Sequence, residues 1–125
     1  MKPKILIVGS SNTDMVTISD RLPKPGETVV AEDFYIAQGG KGANQAVAAA
    51  RLGGEVTFVA KLGDDDFARQ AIAGYRKDKM NTGLISLDPI HPTGTALIHV
   101  DHKGENMIVT NMGANKYLSE QNVRE

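Results

Sequence analysis

Residues Gly39–Gly63 read GGKGANQAVAAARLGGEVTFVAKLG. From Lys41 to Leu52 the stretch is dominated by alanine, a strong helix former, and Gly53-Gly54 then supplies a stop, which predicts a helix packed closely through small side chains. Glu55–Leu62 follows with Val56, Phe58, Val59 and Ala60, the composition of a buried strand. Outward from this unit the rhythm repeats. Ile5-Leu6-Ile7-Val8, closed by Gly9, predicts a strand of a parallel sheet covered on both faces. Asp66 is the expected cap of a helix to about Lys79, with Phe67, Ala71 and Tyr75 on one stripe and basic residues near its end. Strand, helix, strand, helix is the signature of an α/β fold with a parallel sheet and right-handed crossovers.

Two segments depart from that rhythm. Leu22–Tyr35, with two prolines and a Pro-Gly turn, predicts a loop leading into an exposed strand. Thr95–Val100 and Asn106–Thr110 flank a five-residue connection, Asp101–Glu105, whose glycine suits a hairpin turn. The hairpin is expected to project from the main sheet and to bury its apolar face against a ligand, another subunit, or both. Ser119 is the expected cap of a last helix, and no internal repeat is visible.

Bulk properties narrow the function. A chain of 125 residues is expected to form one domain. Fourteen basic against fifteen acidic side chains give a net charge of -1, and no like-charge run is longer than Asp64-Asp65-Asp66. Nucleic acid and anionic membranes are therefore not expected as partners. With no cysteine, neither a disulfide framework nor a thiolate metal site can form. The N-terminal apolar run, Ile5–Val8, is too short for a secretory or membrane segment, and a soluble cytoplasmic protein is expected.

The heptapeptide Gly39–Gln45 places three glycines around a lysine, yet it is not a P-loop, because Lys41 is followed by Gly42 and Ala43 rather than Ser or Thr. Nor does it carry the dinucleotide-binding order of glycines. Gly39 and Gly40 are expected to let an oxygen-rich ligand approach main-chain N–H groups at a helix N-terminus. Lys41 and Asn44, three residues apart, share one face of the first helical turn. Upstream, GSSNTD (Gly9–Asp14) follows the first strand, where open α/β sheets bind ligands. There Asn12 offers a donor and an acceptor and Asp14 acceptors only; the pair either chelates neighbouring hydroxyls of a polyol or caps a turn. Asp64–Asp66 carries enough charge to attract Mg²⁺, but carboxylates in a first helical turn need no metal to account for them. His91, His99 and His102 lack metal-ligand spacing, so no metal site is expected on this chain. No Ser-His-Asp or Cys-His order can be assembled either.

Taken together, VGSSNTD, PKPGETV, GGKGANQAVAAARLG, VAKLGDDDF, PTGTALIHVD and GENMIVTNMGAN, in this order, resemble the PfkB family of sugar kinases, in its ribokinase branch. The resemblance implies part of a Rossmann-like three-layer α/β fold with a projecting β-strand lid, made of residues 16–38 and 95–110, that also serves as a homodimer clasp. It implies ATP-dependent phosphorylation of D-ribose to ribose 5-phosphate, with Mg²⁺ and a monovalent cation, in a complete enzyme. Asn12 and Asp14 match positions that hold ribose hydroxyls, and Gly40, Lys41 and Asn44 match a second sugar-binding element. Ala96, Ile98 and Thr110 fall where lid strands line the sugar pocket, Thr110 being more polar than the aliphatic residue usual there. The Asp-Thr-x-Gly-Ala-Gly-Asp loop that supplies the family's anion hole and catalytic base has no match in these residues, and neither does its Asn-Glu motif for Mg²⁺. The expectation is therefore a sugar-binding half that does not turn over or bind ATP well alone. A non-catalytic sugar-binding or dimerisation module and a fragment of a related nucleoside kinase are the alternatives.

Overall fold

The computed structural model describes residues 1–124 and divides them between two sheets. The first is parallel, with strands β1 (Lys4–Val8), β4 (Glu55–Gly63) and β5 (Ile85–Asp88) in the order β1-β4-β5. The second has the order β3-β2-β6-β7, from β2 (Asn12–Ser19), β3 (Asp33–Gly39), β6 (Gly94–Asp101) and β7 (Asn106–Asn111). Within it β2 pairs parallel to β6, while the β2–β3 and β6–β7 pairs are antiparallel. The hairpin β6–β7 thus belongs to a separate sheet that also contains the exposed strand β3.

Helices α1 (Lys41–Arg51) and α2 (Asp66–Lys77) pack on one side of the parallel sheet. The core there joins Ala43 and Ala46 of α1, Val56, Phe58, Ala60 and Leu62 of β4, and Ala68, Ala71 and Tyr75 of α2. Phe58 and Tyr75 meet edge to face with ring centroids 5.6 Å apart. Both helices lie on this side because β1, β4 and β5 step across the sheet in one direction, and right-handed crossovers stepping one way stay on one face. That corrects the expectation for β1. Its Ile5 and Ile7 pack on the core, whereas Leu6 is 62 % exposed and Val8 44 % exposed on the opposite face.

Element ends follow local chemistry. Helix α1 stops where Gly53, at φ +99°, donates to Ala50 O and Gly54 donates to Ala49 O, the turn that a glycine pair favours. Helix α2 is capped by Asp65, not Asp66, through a hydrogen bond from Ala68 N–H, and it ends at Lys77 rather than Lys79. Asp66 is instead the first helical residue, paired with Arg69. The buried stripe of α2 is Ala68, Ala71 and Tyr75, with Phe67 half-buried at its edge. A 3-10 turn, Gly113–Tyr117, crosses β4, and a short helix α3 (Glu120–Arg124) follows Ser119.

Candidate functional site

Residues opposite one another in a sheet share a face, so the register of the second sheet decides which side chains meet. Asp14 lies between Ala37 of β3 and Ala96 of β6, and Ala96 in turn faces Thr110 of β7. Asn12 lies between Gly39 and Gly94, and Val16 between Tyr35 and Ile98. By alternation Asn12, Asp14, Ala96, Ile98 and Thr110 all belong to one face of the sheet. The segment expected as a turn after β1 is therefore the start of a central strand: Asn12 opens β2, and the hydroxyl of Thr13 behind it is buried without a hydrogen-bond partner among the described residues.

The glycine loop joins this face at its edge. Gly39 ends β3 opposite Asn12, Gly40 follows at φ +97°, and Lys41 begins α1. Packing alone already requires these glycines. A β-carbon on Gly39 would overlap the Asp14 carboxyl, and one on Gly40 would stand 2.7 Å from Ser10 O. One on Gly42 would lie 2.8 Å from Gly9 Cα. The positions their β-carbons would take are filled by the protein's own carboxylate and main chain. The Ala43 N–H is likewise taken, donating to Ser10 O at 2.9 Å. What the glycines achieve is to bring the N-terminus of α1 against the Gly9–Ser11 loop, and with it the exposed Lys41 to the end of the sheet.

The site residues differ in how they are held. Asp14 is half-buried, burial lifts its pKa above the ordinary carboxylate value, and no donor among the described residues bonds to it. Asn12 is fixed by a hydrogen bond from Asn115 Nδ2 to its Oδ1 at 2.7 Å. Asn115 stands in the 3-10 turn, more than a hundred positions along the chain, and was not singled out by residue chemistry; only its place in the family-like run GENMIVTNMGAN marked it. Asn44 is exposed and lines a groove between α1 and α2 together with Gln38, Val47 and Tyr75, a groove that neither Asn12 nor Asp14 lines. Of the eight predicted residues, five therefore share one sheet face and Gly40 and Lys41 border it. Asn44, in the first turn of α1, lines the groove between the helices instead.

The acidic run has a structural role. Asp65 accepts from Ala68 N–H, Thr93 N–H and Thr93 Oγ1, while Arg69 pairs with Asp64 and Asp66. Burial alone would raise the Asp65 pKa; the hydrogen bonds from Thr93 and Ala68 together hold it below the ordinary value. His91 bonds to Asp88 and stacks on Tyr117, whereas His99 bonds to Thr17. His102 meets Asp20 and Glu32 in an exposed cluster between the hairpin tip and the β2–β3 loop.

Comparison with known proteins agrees with this architecture. The family described as pfkB family carbohydrate kinase matches residues 2–125. A mouse (Mus musculus) protein named ribokinase is 40 % identical over 121 residues, covering 97 % of this chain and 38 % of its own length. A Salmonella typhi protein named deoxyribokinase is 41 % identical over 119 residues, covering 95 % and 39 %. The structure of Arabidopsis thaliana ribokinase complexed with ribose and ATP superposes with a TM-score of 0.86 at 33 % identity, over 99 % of this chain and 42 % of that one. The chain thus spans about two fifths of the length of the relatives it matches.

Proposed function

Because this chain belongs to the pfkB family of carbohydrate kinases, we propose that it carries the sugar-binding part of a ribokinase-like kinase whose substrate is D-ribose. The observation behind this reading is the register that puts Asn12 and Asp14 on one sheet face with Ala96, Ile98 and Thr110, beside the Gly40–Lys41 corner. Asp14, without a donor among the described residues, accepts a hydrogen bond from a sugar hydroxyl; the Asn12 amide and Lys41 ammonium donate to hydroxyl oxygens. Asn44, three residues beyond Lys41, adds its amide from the helix. Ala96, Ile98 and Thr110 give the floor on which the apolar edge of the sugar ring rests.

In this reading ribose 5-phosphate forms by phosphoryl transfer from ATP, with Mg²⁺ and a monovalent cation, in the assembled kinase. The catalytic loop and the Asn-Glu motif for Mg²⁺ have no match in these residues. The acidic run that would attract Mg²⁺ is occupied in capping α2 and pairing with Arg69. No phosphoryl step is assigned to this chain, and alone it is expected to be inactive. The pentose fits the names of the relatives, which include both a ribokinase and a deoxyribokinase. The opposite face of the second sheet exposes Phe34, Ile36, Leu97, Met107 and Val109, a surface suited to a second copy of the chain and hence to a homodimer in the cytoplasm.

Calorimetric titration tests the reading. Saturable ribose binding at millimolar concentration or below, with no ADP formed from ATP, Mg²⁺ and ribose, is the expected pair of results. A folded sample that gives no heat with ribose, or that prefers adenosine, would refute it. Light scattering at a single protomer mass would remove the dimer.

A further inference from the structure

The geometry points to Asn115 as the positioning residue that decides which end of the Asn12 amide faces the sugar, making Asn12 a donor and leaving Asp14 as the acceptor beside it. This rests on the proposed sugar-binding role of Asn12 and Asp14. An amide side chain has a donor end and an acceptor end of nearly equal shape, so its orientation is set by the polarity of its neighbours. For Asn115 that polarity is fixed by the main chain. Its Oδ1 accepts from Ser11 N–H at 2.9 Å, and the two hydrogens of its Nδ2 are shared among Asn12 and the carbonyl oxygens of Ser11, at 3.2 Å, and Met112, at 3.0 Å. Reversing the amide would set an oxygen against two carbonyls and an NH₂ against an N–H. The atom of Asn12 that meets Asn115 Nδ2 at 2.7 Å must then be its oxygen. The NH₂ of Asn12 is left as the free end.

The surroundings are built around this pair. A β-carbon on Gly94, the β6 residue opposite Asn12, would collide with both Asn115 Nδ2 and Asn12 Oδ1, so only glycine leaves the bond intact. The 3-10 turn that carries Asn115 is itself anchored. Ala114 N–H donates to Pro92 O at 2.7 Å, Lys61 reaches Tyr117 O, and Tyr117 stacks on His91 at 3.6 Å.

The consequence is a choice of ligand class. With NH₂ and carboxylate side by side on one strand face, the site presents one donor and one acceptor, which matches two neighbouring hydroxyls of a neutral sugar. With the amide reversed it would present a carbonyl and a carboxylate, two acceptors that suit an amine. Asn115 thereby keeps a donor beside the Asp14 carboxylate for a hydroxyl oxygen.

Ribose titrations of the wild-type chain, Asn115→Asp, Asn12→Ala and the double variant test this. In Asn115→Asp a carboxylate oxygen replaces the NH₂, so Asn12 turns to donate inward and loses its donor to the sugar. The expected result is a fall in ribose affinity of about tenfold or more in Asn115→Asp. The same change is expected to have no further effect on affinity in the Asn12→Ala background, because it acts only through Asn12. Equal losses in both backgrounds, or no loss in the folded single variant, would overturn the proposal while leaving the sugar site standing. No binding to the wild-type chain would overturn both. A second readout needs no variant: the side-chain NH₂ resonances of Asn12 in the ¹⁵N-labelled chain are expected to shift on ribose saturation, and unmoved resonances would overturn the donor role.

Discussion

The carboxyl group of Asp14 fills the space that a side chain on Gly39 would need: a β-carbon on Gly39 would stand 2.7 Å from Asp14 Oδ1. The two residues lie on neighbouring strands, Asp14 beside Ala37 and Gly39 two positions further along β3. Gly39→Ala is therefore expected to displace the carboxylate rather than the backbone. Ribose affinity should fall by roughly tenfold, about 1.4 kcal/mol, while stability changes by about 1 kcal/mol. Calorimetry and urea unfolding on the same samples separate the two; undiminished affinity would mean that the carboxylate position does not matter.

Burying the Asp14 carboxyl costs stability. Burial raises its folded pKa above the unfolded value, so ionisation opposes folding at every pH above the ordinary carboxylate range. Asn in its place should raise the melting temperature at pH 7, with the gain vanishing as pH falls below about 4. Ribose binding should drop about tenfold or more, because a carboxylate acceptor is replaced by an amide. Differential scanning calorimetry across pH, with ribose titration at pH 7, tests both halves.

Two glycines in helices should respond in opposite ways to alanine. At Gly42 the new methyl would meet main-chain atoms on the facing loop, Gly9 Cα and Ser10 N at 2.8 Å, which cannot swing aside. Gly42→Ala should cost about 1–3 kcal/mol. At Gly74 of α2 no atom stands within 4 Å of the added carbon, so Gly74→Ala should stabilise the chain by about 0.5–1 kcal/mol. Denaturant midpoints that move the same way would contradict the packing described for α1.

Asp88, at the end of β5, should govern part of the acid response. Its pKa is lowered to about 2, chiefly by the Ile90 N–H and, against the pull of burial, by the His91 ring and main-chain N–H. A depressed folded pKa stabilises above the unfolded value and is lost as pH falls toward the folded one, here from about 4 to about 2. Asp88→Asn should be less stable than wild type at pH 7 and should lose less stability over that acid window, read from urea midpoints at several pH values.

Helix α1 and strand β4 were legible because their signals are local: alanines between a lysine and a glycine pair, then a run of apolar, mostly buried positions in Glu55–Gly63. The hairpin was legible for the same reason, its turn held by Gly104 at φ +83°. The parallel pairing of β2 with β6 was not, since nothing near Asn12 announces a partner eighty residues away, and Gly9–Asp14 has turn-like composition. Strand β5 is four residues long and escaped notice. Asp65 and Asp66 are equally good caps on paper; the Thr93 hydrogen bonds, visible only in three dimensions, favour Asp65. Lys41 and Asn44 were singled out for their chemistry, but the tight packing of Gly42 on Gly9 that places them has no sequence signal beyond the glycines themselves.

The bond between Asn115 and Asn12 also sets the order in which the protein can be finished. Asn12 and Asp14 are translated well before β6 and the turn that carries Asn115. Contacts of such long sequence separation must close a large loop before they repay its entropy. The nascent chain therefore assembles its helices and parallel strands before the second sheet is complete, so a product terminated before β6 would have a core without the proposed sugar face.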